Sequence, residues 1–246
     1  MKGTILRICP QVQLIDLTND ISSQDIMEAA FVVREAYAYF PEGAIHLVVV
    51  DPGVGTSRPA VALRHNGHYF VGPDNGLFSL VTSGGEPDEV VVLDKPAFWR
   101  TPEPSNTFHG RDIFAPVAAH LANGRKLCEL GSPTQSLQDL RWVRPIADTQ
   151  GLRGWVVHID HFGNCITNIE RAEFEAWREG RGVKVYAGTS ILKGIGETYG
   201  SVEKGDPVAV FGNSDLLEIA VNGGSAAELL SIRKGAAVSV VFVDKS

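Results

Sequence analysis

The segment that most limits the possible fold is AIHLVVVD, a near-continuous apolar run over residues 44–51. Such a run is typical of a strand that is covered on both faces, as in a parallel sheet. It ends at Asp51, directly before a Pro-Gly turn. In open α/β sheets, ligands bind beyond the carboxyl ends of the strands. The run therefore predicts a buried strand that presents Asp51 at a ligand-binding edge.

The stretch before this strand alternates between strand-like and helix-like patterns. Ser22 or Ser23 can cap the predicted helix, and Pro41 with Gly43 ends it. This βαβ rhythm predicts a parallel sheet. The segments are two strands and one helix: TILRIC, QLIDL and SSQDIMEAAFVVREAYAYF.

After Asp51 the sequence predicts a hairpin and a further helix. PAVALRHN and HYFVG read as paired strands joined by an Asn66-Gly67 turn. RDIFAPVAAHLANG reads as a helix that Asn123-Gly124 closes.

The pattern of predicted secondary structure changes near residue 150. Residues 130–150 carry Ser, Thr, Gln and Pro without periodicity, so we predict an N-terminal domain over 1–145 and a C-terminal domain over 150–246. Short strands at close intervals then favour a small antiparallel barrel or sandwich. The strands are GWVVHID, CITNIE, VKVYAG, PVAVFG, LEIAVN and AVSVVFV, and the helices are RAEFEAWRE and GSAAELLSI.

Composition limits the class of protein. The chain has 246 residues, 44% apolar and 21% charged, with a net charge of −7, which is ordinary for a soluble protein and disfavours nucleic acid as a partner. Cys9, Cys128 and Cys165 are widely separated and form no CxxC pair, which is typical of a reducing compartment. No apolar run reaches the roughly 18 residues of a membrane span, and MKGTILRICP does not read as a signal sequence. We therefore expect a cytoplasmic protein.

Two charged residues flank the glycines of DPGVGTSR, namely Asp51 and Arg58. The glycines let the loop fold back so that the two side chains meet. A carboxylate held by a guanidinium stays ionised and is oriented by two hydrogen bonds. The same pair could simply stabilise the loop. GVGTSR lacks the third glycine and the following helix of a dinucleotide-binding loop, so we reject that function.

His109 in FHGRDIF is the third candidate, because it precedes a predicted helix. Its imidazole exchanges a proton near neutral pH, which suits it to activating water. A capping or merely packed histidine is the alternative. We expect the adjacent Arg111 and Asp112 to form an ion pair rather than to act in catalysis. With Asp51 and Arg58, His109 would form a group of three side chains that activates a water molecule.

HIDHFGN contains His158, Asp160 and His161, which superficially resemble a metal cluster. On a strand, His158 and Asp160 share a face while His161 points away, so we expect no metal site. Asp160 with Asn164 is better suited to hold an ammonium and a carboxylate, with Phe162 as a flat apolar wall. The alternative is that this segment is only a turn.

FGNSDLLEIAVNGG places Phe211, Ser214 and Asn222 around a strand hairpin. An Asn side chain can read both hydrogen-bonding faces of an amide-like or purine edge. Because such residues also form turns, the pattern alone leaves both interpretations open.

Taken in order, these segments resemble the family of S-adenosylmethionine hydroxide adenosyltransferases, relatives of the fluorinating and chlorinating enzymes. The resemblance implies a Rossmann-like N-terminal α/β domain, a C-terminal small antiparallel β-barrel domain, and a homotrimer with substrate pockets between subunits. The segments that carry it, beginning at MKG, are AIHLVVVDPGVGTSR, FVGPDNGL, TFHGRDIFAPVAAHLANG, HIDHFGNCITNI and NSDLLEIAVNGGSAAELL.

The resemblance implies a reaction in which water or hydroxide attacks the ribose 5′ carbon of S-adenosylmethionine. Methionine leaves the sulfonium, giving adenosine and L-methionine, and neither a cofactor nor a metal is required. Hydrolytic members carry an Asp, Arg and His trio, which this chain matches as Asp51, Arg58 and His109. Asp51 and Arg58 would position the water, and His109 would take or relay its proton.

The resemblance also assigns substrate contacts. Asp160 would bind the methionine ammonium, Ser214 would lie by the carboxylate, and Asn222 would meet the adenine edge. The remaining positions, which lie near adenine or elsewhere along the substrate, are Phe108, Phe162, Asn164, Tyr199 and Phe211.

The chain departs from its relatives at several positions. Gly110 and Val54 replace a Ser and a Thr of the halogenating relatives, which disfavours halide chemistry. Asp215 replaces an Arg, so its contact with a substrate carboxylate would be unfavourable. Relatives also carry an additional strand ahead of MKG, so we expect either that the native start lies upstream or that the first strand of the sheet is missing. A protein that binds adenosine or S-adenosylmethionine without turnover, or a halide-dependent transferase, is the alternative.

Overall fold

The computed structural model describes residues 1–82, 85–140, 144–149 and 151–243. The chain divides into two compact units, residues 1–140 and 141–246. Within the predicted linker at 130–150, residues 141–143 and 150 lie outside the described residues.

The first helix overturns a strand prediction. TILRIC belongs almost entirely to helix α1 (Lys2–Ile8). Its Ile5 and the following Cys9 are buried four residues apart, in one cluster with alanines of residues 115–119. This spacing is helical, and packing of one helix face outweighed the β-branched residues. QLIDL, also predicted as a strand, lies outside regular secondary structure.

The helix predicted from SSQDIMEAAFVVREAYAYF is confirmed as α2 (Ile26–Ala36). Its cap is Asp25 rather than Ser22 or Ser23, since the Asp25 carboxylate accepts a hydrogen bond from the Glu28 N–H at 2.9 Å. The helix begins a few residues later than the serines suggested.

Five strands form the sheet of the N-terminal unit, in the order β1-β3-β2-β4-β5. They are β1 (Ile45–Leu47), β2 (Ala60–His65), β3 (His68–Pro73), β4 (Glu89–Val92) and β5 (Ser132–Pro133). Only β1 and β3 are parallel, and the other neighbouring pairs are antiparallel. The predicted parallel sheet is therefore wrong for most of the described strands. The predicted hairpin is confirmed, with positive φ at Asn66 (49°) and Gly67 (78°).

The apolar run at β1 packs on both sides, as predicted. Ile45, Leu47 and Val49 contact one apolar cluster, while Val48 and Val50 contact another. Among the described strands, β1 forms the edge of the sheet. This position explains why the run is only partly buried.

The helix predicted around residues 111–124 has two parts. A π-helix (Gly110–Phe114) leads into α3 (Ala115–Ala122), which ends at Asn123 and at Gly124 with φ 84°. The wider π turn often marks functional sites. The short helix α4 (Leu127–Leu130) follows.

The C-terminal unit is an antiparallel, barrel-like sheet with the order β10-β9-β13-β7-β8-β12-β11 and with β6 paired to β7. All six predicted strands are present, and two short strands, β6 and β10, were not predicted because two and four residues are too few to show a pattern. The strands are β6 (Ile146–Ala147), β7 (Gly151–Ile159), β8 (Cys165–Glu170), β9 (Gly182–Ala187), β10 (Ser190–Lys193), β11 (Pro207–Phe211), β12 (Leu216–Val221) and β13 (Ala237–Val243).

Both helices predicted for this unit are confirmed, as α5 (Arg171–Arg178) and α6 (Ala226–Leu229). They pack on one apolar core that the strands enclose. In the described ranges, no helix combines the length and the apolar character that crossing a membrane requires.

Two histidines pack together in the N-terminal sheet. His46 stacks on Phe70 with ring centroids 5.0 Å apart, and its Nε2 lies 3.3 Å from Nδ1 of His68. Tyr37 and Phe40 meet the same ring edge-on. Burial, with a smaller contribution from His68, lowers the pKa of His46 from 6.5 to about 4. His46 is therefore neutral in the folded protein at neutral pH.

We predict that mild acid weakens the fold through His46. The unfolded chain gains a proton there near pH 6.5, but the folded chain does so only near pH 4. The free energy of unfolding should therefore fall as pH decreases through this window, by about 1–2 kcal/mol, because solvent partly screens this half-buried ring. Urea denaturation at neutral pH and near pH 4 measures this change. His46→Gln should flatten the dependence, whereas His161→Gln, at an exposed position, should not; equal slopes would contradict the prediction.

Candidate active site

The loop after β1 folds back on itself, as its glycines predicted. The Val54 N–H donates to the Asp51 carbonyl at 3.3 Å, and the Thr56 N–H donates to the Gly53 carbonyl at 3.2 Å. These turns return the chain so that Arg58 faces Asp51.

Gly55 brings this loop against a second loop. It has φ 78°, and a Cβ at this position would lie 2.3 Å from the Asn106 carbonyl oxygen. Only glycine permits both the backbone conformation and this close approach. The contact places the loop of Asp51 beside the segment that leads to His109.

Arg58 binds both other members of the predicted trio. Its Nε donates to Oδ1 of Asp51 at 2.8 Å, and its Nη2 donates to Oδ2 of Asp51. The same Nη2 lies 3.0 Å from Nδ1 of His109, and Nη1 donates to the Pro59 carbonyl at 2.9 Å. The guanidinium carbon lies 5.3 Å from the Phe114 ring centroid. The side chains of Arg58 and Asp51 are 9% and 5% exposed, so the ion pair is buried.

This arrangement fixes the proton on His109. A guanidinium can only donate, so Nδ1 of His109 is the acceptor and the neutral ring carries its proton on Nε2. Burial, followed by the charge of Arg58, lowers the pKa of His109 against the opposing effect of Asp51 and Asp112. Among the described residues, none bonds to Nε2. A neutral ring therefore offers one N–H to a ligand.

Asp112 is structural, in agreement with the predicted ion pair. It is fully buried and accepts hydrogen bonds from Nε and Nη2 of Arg111 at 2.7 and 2.9 Å. Arg100 and the Ser105 N–H donate to it as well. Hydrogen bonds from Arg111, and then from Arg100, hold the pKa of this carboxyl well below its usual range. Asp112 thus ties the loop around residue 105 to the π-helix that begins after His109.

The residues on either side of His109 differ in their surroundings. Phe108 is 58% exposed, and the Arg111 guanidinium lies 5.0 Å from its ring centroid. A Cβ at Gly110 would lie 3.1 Å from Sδ of Met1 and 3.3 Å from Cγ1 of Val49. This position therefore leaves little room for any side chain.

Asp160 shapes the loop after β7. Its Oδ1 accepts the N–H groups of Phe162 and Asn164, both at 2.9 Å, and its Oδ2 accepts Nδ2 of Asn164 at 2.9 Å. These bonds form the turn that was the alternative interpretation of this segment. The Phe162 ring remains 74% exposed. Among the described residues, no group of three or more His, Cys, Asp or Glu side chains could hold a metal ion.

Asp215 has a structural partner. Nε of Arg171 donates to its Oδ1, and the Arg171 N–H donates to its carbonyl, each at 2.8 Å. The same guanidinium lies 4.7 Å from the Phe211 ring centroid. Asp215 has φ 55°, a value typical of a turn, so its role is to fix the connection into β12. Ser214 beside it is partly buried and forms no hydrogen bond to another described residue.

Tyr199 and Asn222 are each anchored. Asn222 donates from Nδ2 to the Val202 carbonyl at 2.8 Å. The Tyr199 hydroxyl donates to Oε1 of Glu218 at 2.7 Å. Sequence reasoning missed Glu218, whose only signal is a charged residue inside the apolar pattern of β12.

Both units of the chain match the domains of one known protein family. The profile of the SAM hydroxide adenosyltransferase N-terminal domain matches residues 1–131, and that of the C-terminal domain matches residues 154–239. The chain belongs to the SAM hydroxide adenosyltransferase family. The predicted family and its two-domain architecture, an α/β domain followed by an antiparallel barrel-like domain, are thus confirmed.

Relatives within this family include hydrolases and halogenating enzymes. The chain is 40% identical over 251 residues to an (R)-S-adenosyl-L-methionine hydrolase of Thermus thermophilus, covering 98% of this chain and 92% of the relative. A fluorinase of an Actinoplanes species is 27% identical over 275 residues, with coverage of 97% and 91%. The crystal structure of an uncharacterized conserved protein from Thermotoga maritima matches with a TM-score of 0.90 at 35% identity, covering 98% of this chain and 93% of that one.

We predict that His109 is protonated on Nε2 alone at neutral pH, because its Nδ1 accepts from Arg58. Nitrogen NMR of protein labelled in its histidine rings measures the state of each ring nitrogen, and His109→Gln identifies the signals. Arg58→Met should release the ring into tautomer exchange, whereas Arg125→Met, at an exposed arginine, should not. A proton on Nδ1 of the wild-type ring would contradict the assignment.

Proposed function

We propose that the chain hydrolyses S-adenosylmethionine to adenosine and L-methionine. The observation that carries this proposal is the continuous set of hydrogen bonds from Asp51 through Arg58 to His109, in a family member that is more similar to a hydrolase than to a fluorinase. A sulfonium leaves as a neutral thioether, so the reaction needs neither a metal nor another cofactor to activate the leaving group.

In this reaction a C–O bond forms at the ribose 5′ carbon while the C–S bond breaks, and the bonding pair moves to sulfur. The attacking water must lose one proton. Each Asp51 oxygen accepts one bond from Arg58 and retains a second lone pair, so Asp51 accepts a bond, and then the proton, from the water. The Nε2–H group of His109 donates a hydrogen bond to the oxygen of this water. One lone pair of the water then remains to attack carbon.

Such orientation and proton transfer contribute roughly two to four powers of ten each. Arg58 supplies the orientation, because its fork holds the carboxylate and the imidazole in fixed directions. His109 acts here as a donor rather than as the base, because its Nδ1 is occupied by Arg58.

Substrate binding in the C-terminal unit follows the family resemblance. Asp160 keeps one oxygen lone pair beyond its three loop hydrogen bonds, which suits it to the methionine ammonium. Phe162 supplies a flat, exposed apolar ring. The other proposed substrate contacts in this unit are Asn164, Tyr199, Phe211, Ser214 and Asn222, and Phe108 is the proposed contact from the N-terminal unit. The same resemblance extends the proposal to a cytoplasmic homotrimer with substrate sites at subunit interfaces.

Crowding at Gly110 supports water over halide as the nucleophile. Halogenating relatives carry a Ser at this position. Here a Cβ would already approach Met1 and Val49 to within 3.1 and 3.3 Å. A serine side chain would require Met1 and Val49 to shift by a few tenths of an ångström, so the crowding disfavours a halide-holding hydroxyl at this position.

We predict that Asp51→Asn, Arg58→Met and His109→Ala each lower kcat by at least roughly 100-fold, because each removes part of the water-orienting set. Chromatography of adenosine and methionine released from S-adenosylmethionine measures turnover. Asp88→Asn, which alters an exposed ion pair with Arg64, is the matched control. Binding without any adenosine release by folded wild-type protein would favour the non-catalytic alternative. A halogenated nucleoside formed with chloride or fluoride would show that the nucleophile is wrong.

We predict that His109→Gln retains roughly tenfold more activity than His109→Asn, because a glutamine amide can place an N–H near the position of Nε2. An amide cannot take up a proton at neutral pH. Equal inactivity of both variants would therefore make His109 the proton acceptor. In the wild type, kcat should fall only below the ordinary histidine pKa of 6.5, since the pKa of His109 is lowered and the ring must stay neutral.

A further inference from the structure

Glu218 is a buried charge that the proposed mechanism does not use. It lies in the interior strand β12, opposite Val210 of β11 and Ile166 of β8, and is only 6% exposed. A carboxylate in such surroundings costs free energy unless hydrogen bonds compensate it. Burial raises the pKa of Glu218, which reflects this cost.

One hydroxyl group offsets the cost of burying the Glu218 carboxylate. Among the described residues, Tyr199 is its single hydrogen-bond donor, at 2.7 Å from Oε1. On the other side, a Cβ at Gly212 would lie 2.5 Å from Oε2, so the carboxylate fills space that a larger residue would occupy. The position of Glu218 is thus narrowly confined.

Glu218 lies among several of the proposed substrate contacts. Ile219, the next residue along β12, pairs with Cys165 of β8, and Cys165 directly follows Asn164 of the Asp160 loop. Gly212 directly follows Phe211. Glu218 therefore bonds to the turn of Tyr199 and lies beside two further segments, the end of β11 and the strand that follows the Asp160 loop.

We propose that Glu218 is a positioning residue for substrate binding, which acts by holding the Tyr199 ring through its hydroxyl. This inference rests on the proposed function. Tyr199 is 44% exposed and lies in a short 3₁₀ turn (Tyr199–Ser201), so its ring is open to a ligand but weakly constrained by packing. The hydrogen bond limits the ring to one orientation before the adenine base arrives. Ordering the ring in advance lowers the entropy lost on binding.

The test uses Glu218→Ala, Glu218→Gln, Tyr199→Phe and the double variant Tyr199→Phe/Glu218→Ala. Loss of the hydrogen bond should raise KM for S-adenosylmethionine and Kd for adenosine roughly tenfold and leave kcat within about twofold. The double variant should be no worse than either single variant. Glu218→Gln keeps an acceptor for the hydroxyl and should restore wild-type binding. Glu175→Ala, at an exposed glutamate of the same unit, is the control.

The possible outcomes separate a failure of the Glu218 inference from a failure of the proposed function. Unchanged KM and Kd in folded Glu218→Ala would make Glu218 purely structural, and additive effects in the double variant would make it a direct substrate contact. If Glu218→Ala does not fold, Tyr199→Phe carries the test, because it removes the hydroxyl and keeps the ring. If wild-type protein binds adenosine without turnover, the proposed function fails and the adenosine Kd still tests Glu218. If it binds neither compound, both proposals fail.

Discussion

The candidate site depends on one guanidinium. Arg58 presents its donors in a rigid plane, and its bonds to Asp51, His109 and the Pro59 carbonyl hold three groups from two loops in one arrangement. Every partner has to accept, which fixes the direction of each hydrogen bond. A lysine would supply the charge without the fork, so it could not orient a carboxylate and an imidazole together.

A buried ion pair alone is a poor source of stability, because desolvation offsets most of its attraction. The surrounding structure therefore has to hold the pair in place. Gly55 allows the first loop to touch the Asn106 carbonyl, and Asp112 ties the second loop to the π-helix. Both features act on the backbone. They show why glycines and a second set of charged residues accompany the trio without touching a reacting group.

Local patterns in the sequence predicted the local features well. The Asn66-Gly67 hairpin, helix α2 and the six predicted strands of the C-terminal unit all depend on short-range turn chemistry and periodicity. TILRIC was misread because burial against residues 115–119 decides its structure, and that contact spans more than 100 residues. The ion pair of Asp215 with Arg171 was not predicted, because the two residues lie 44 positions apart in the sequence. The tautomer of His109 likewise depends on a contact across 51 residues.

The polar side chains of the C-terminal unit differ in the hydrogen bonds that stabilise them, and this difference distinguishes their roles. Asp160, Asn222 and Asp215 are bound into their own loops by backbone groups or by an arginine. The fold itself therefore fixes the positions of these side chains, whether or not a ligand is bound. Within the described part of the chain Glu218 has one donor, a neutral hydroxyl, and it lies in a strand where leucine would fit the pattern and cost less. Natural sequences break a local rule most often at functional sites. A charge that weakens its own strand and restrains one exposed aromatic ring is better explained by what that ring binds than by the stability of the barrel.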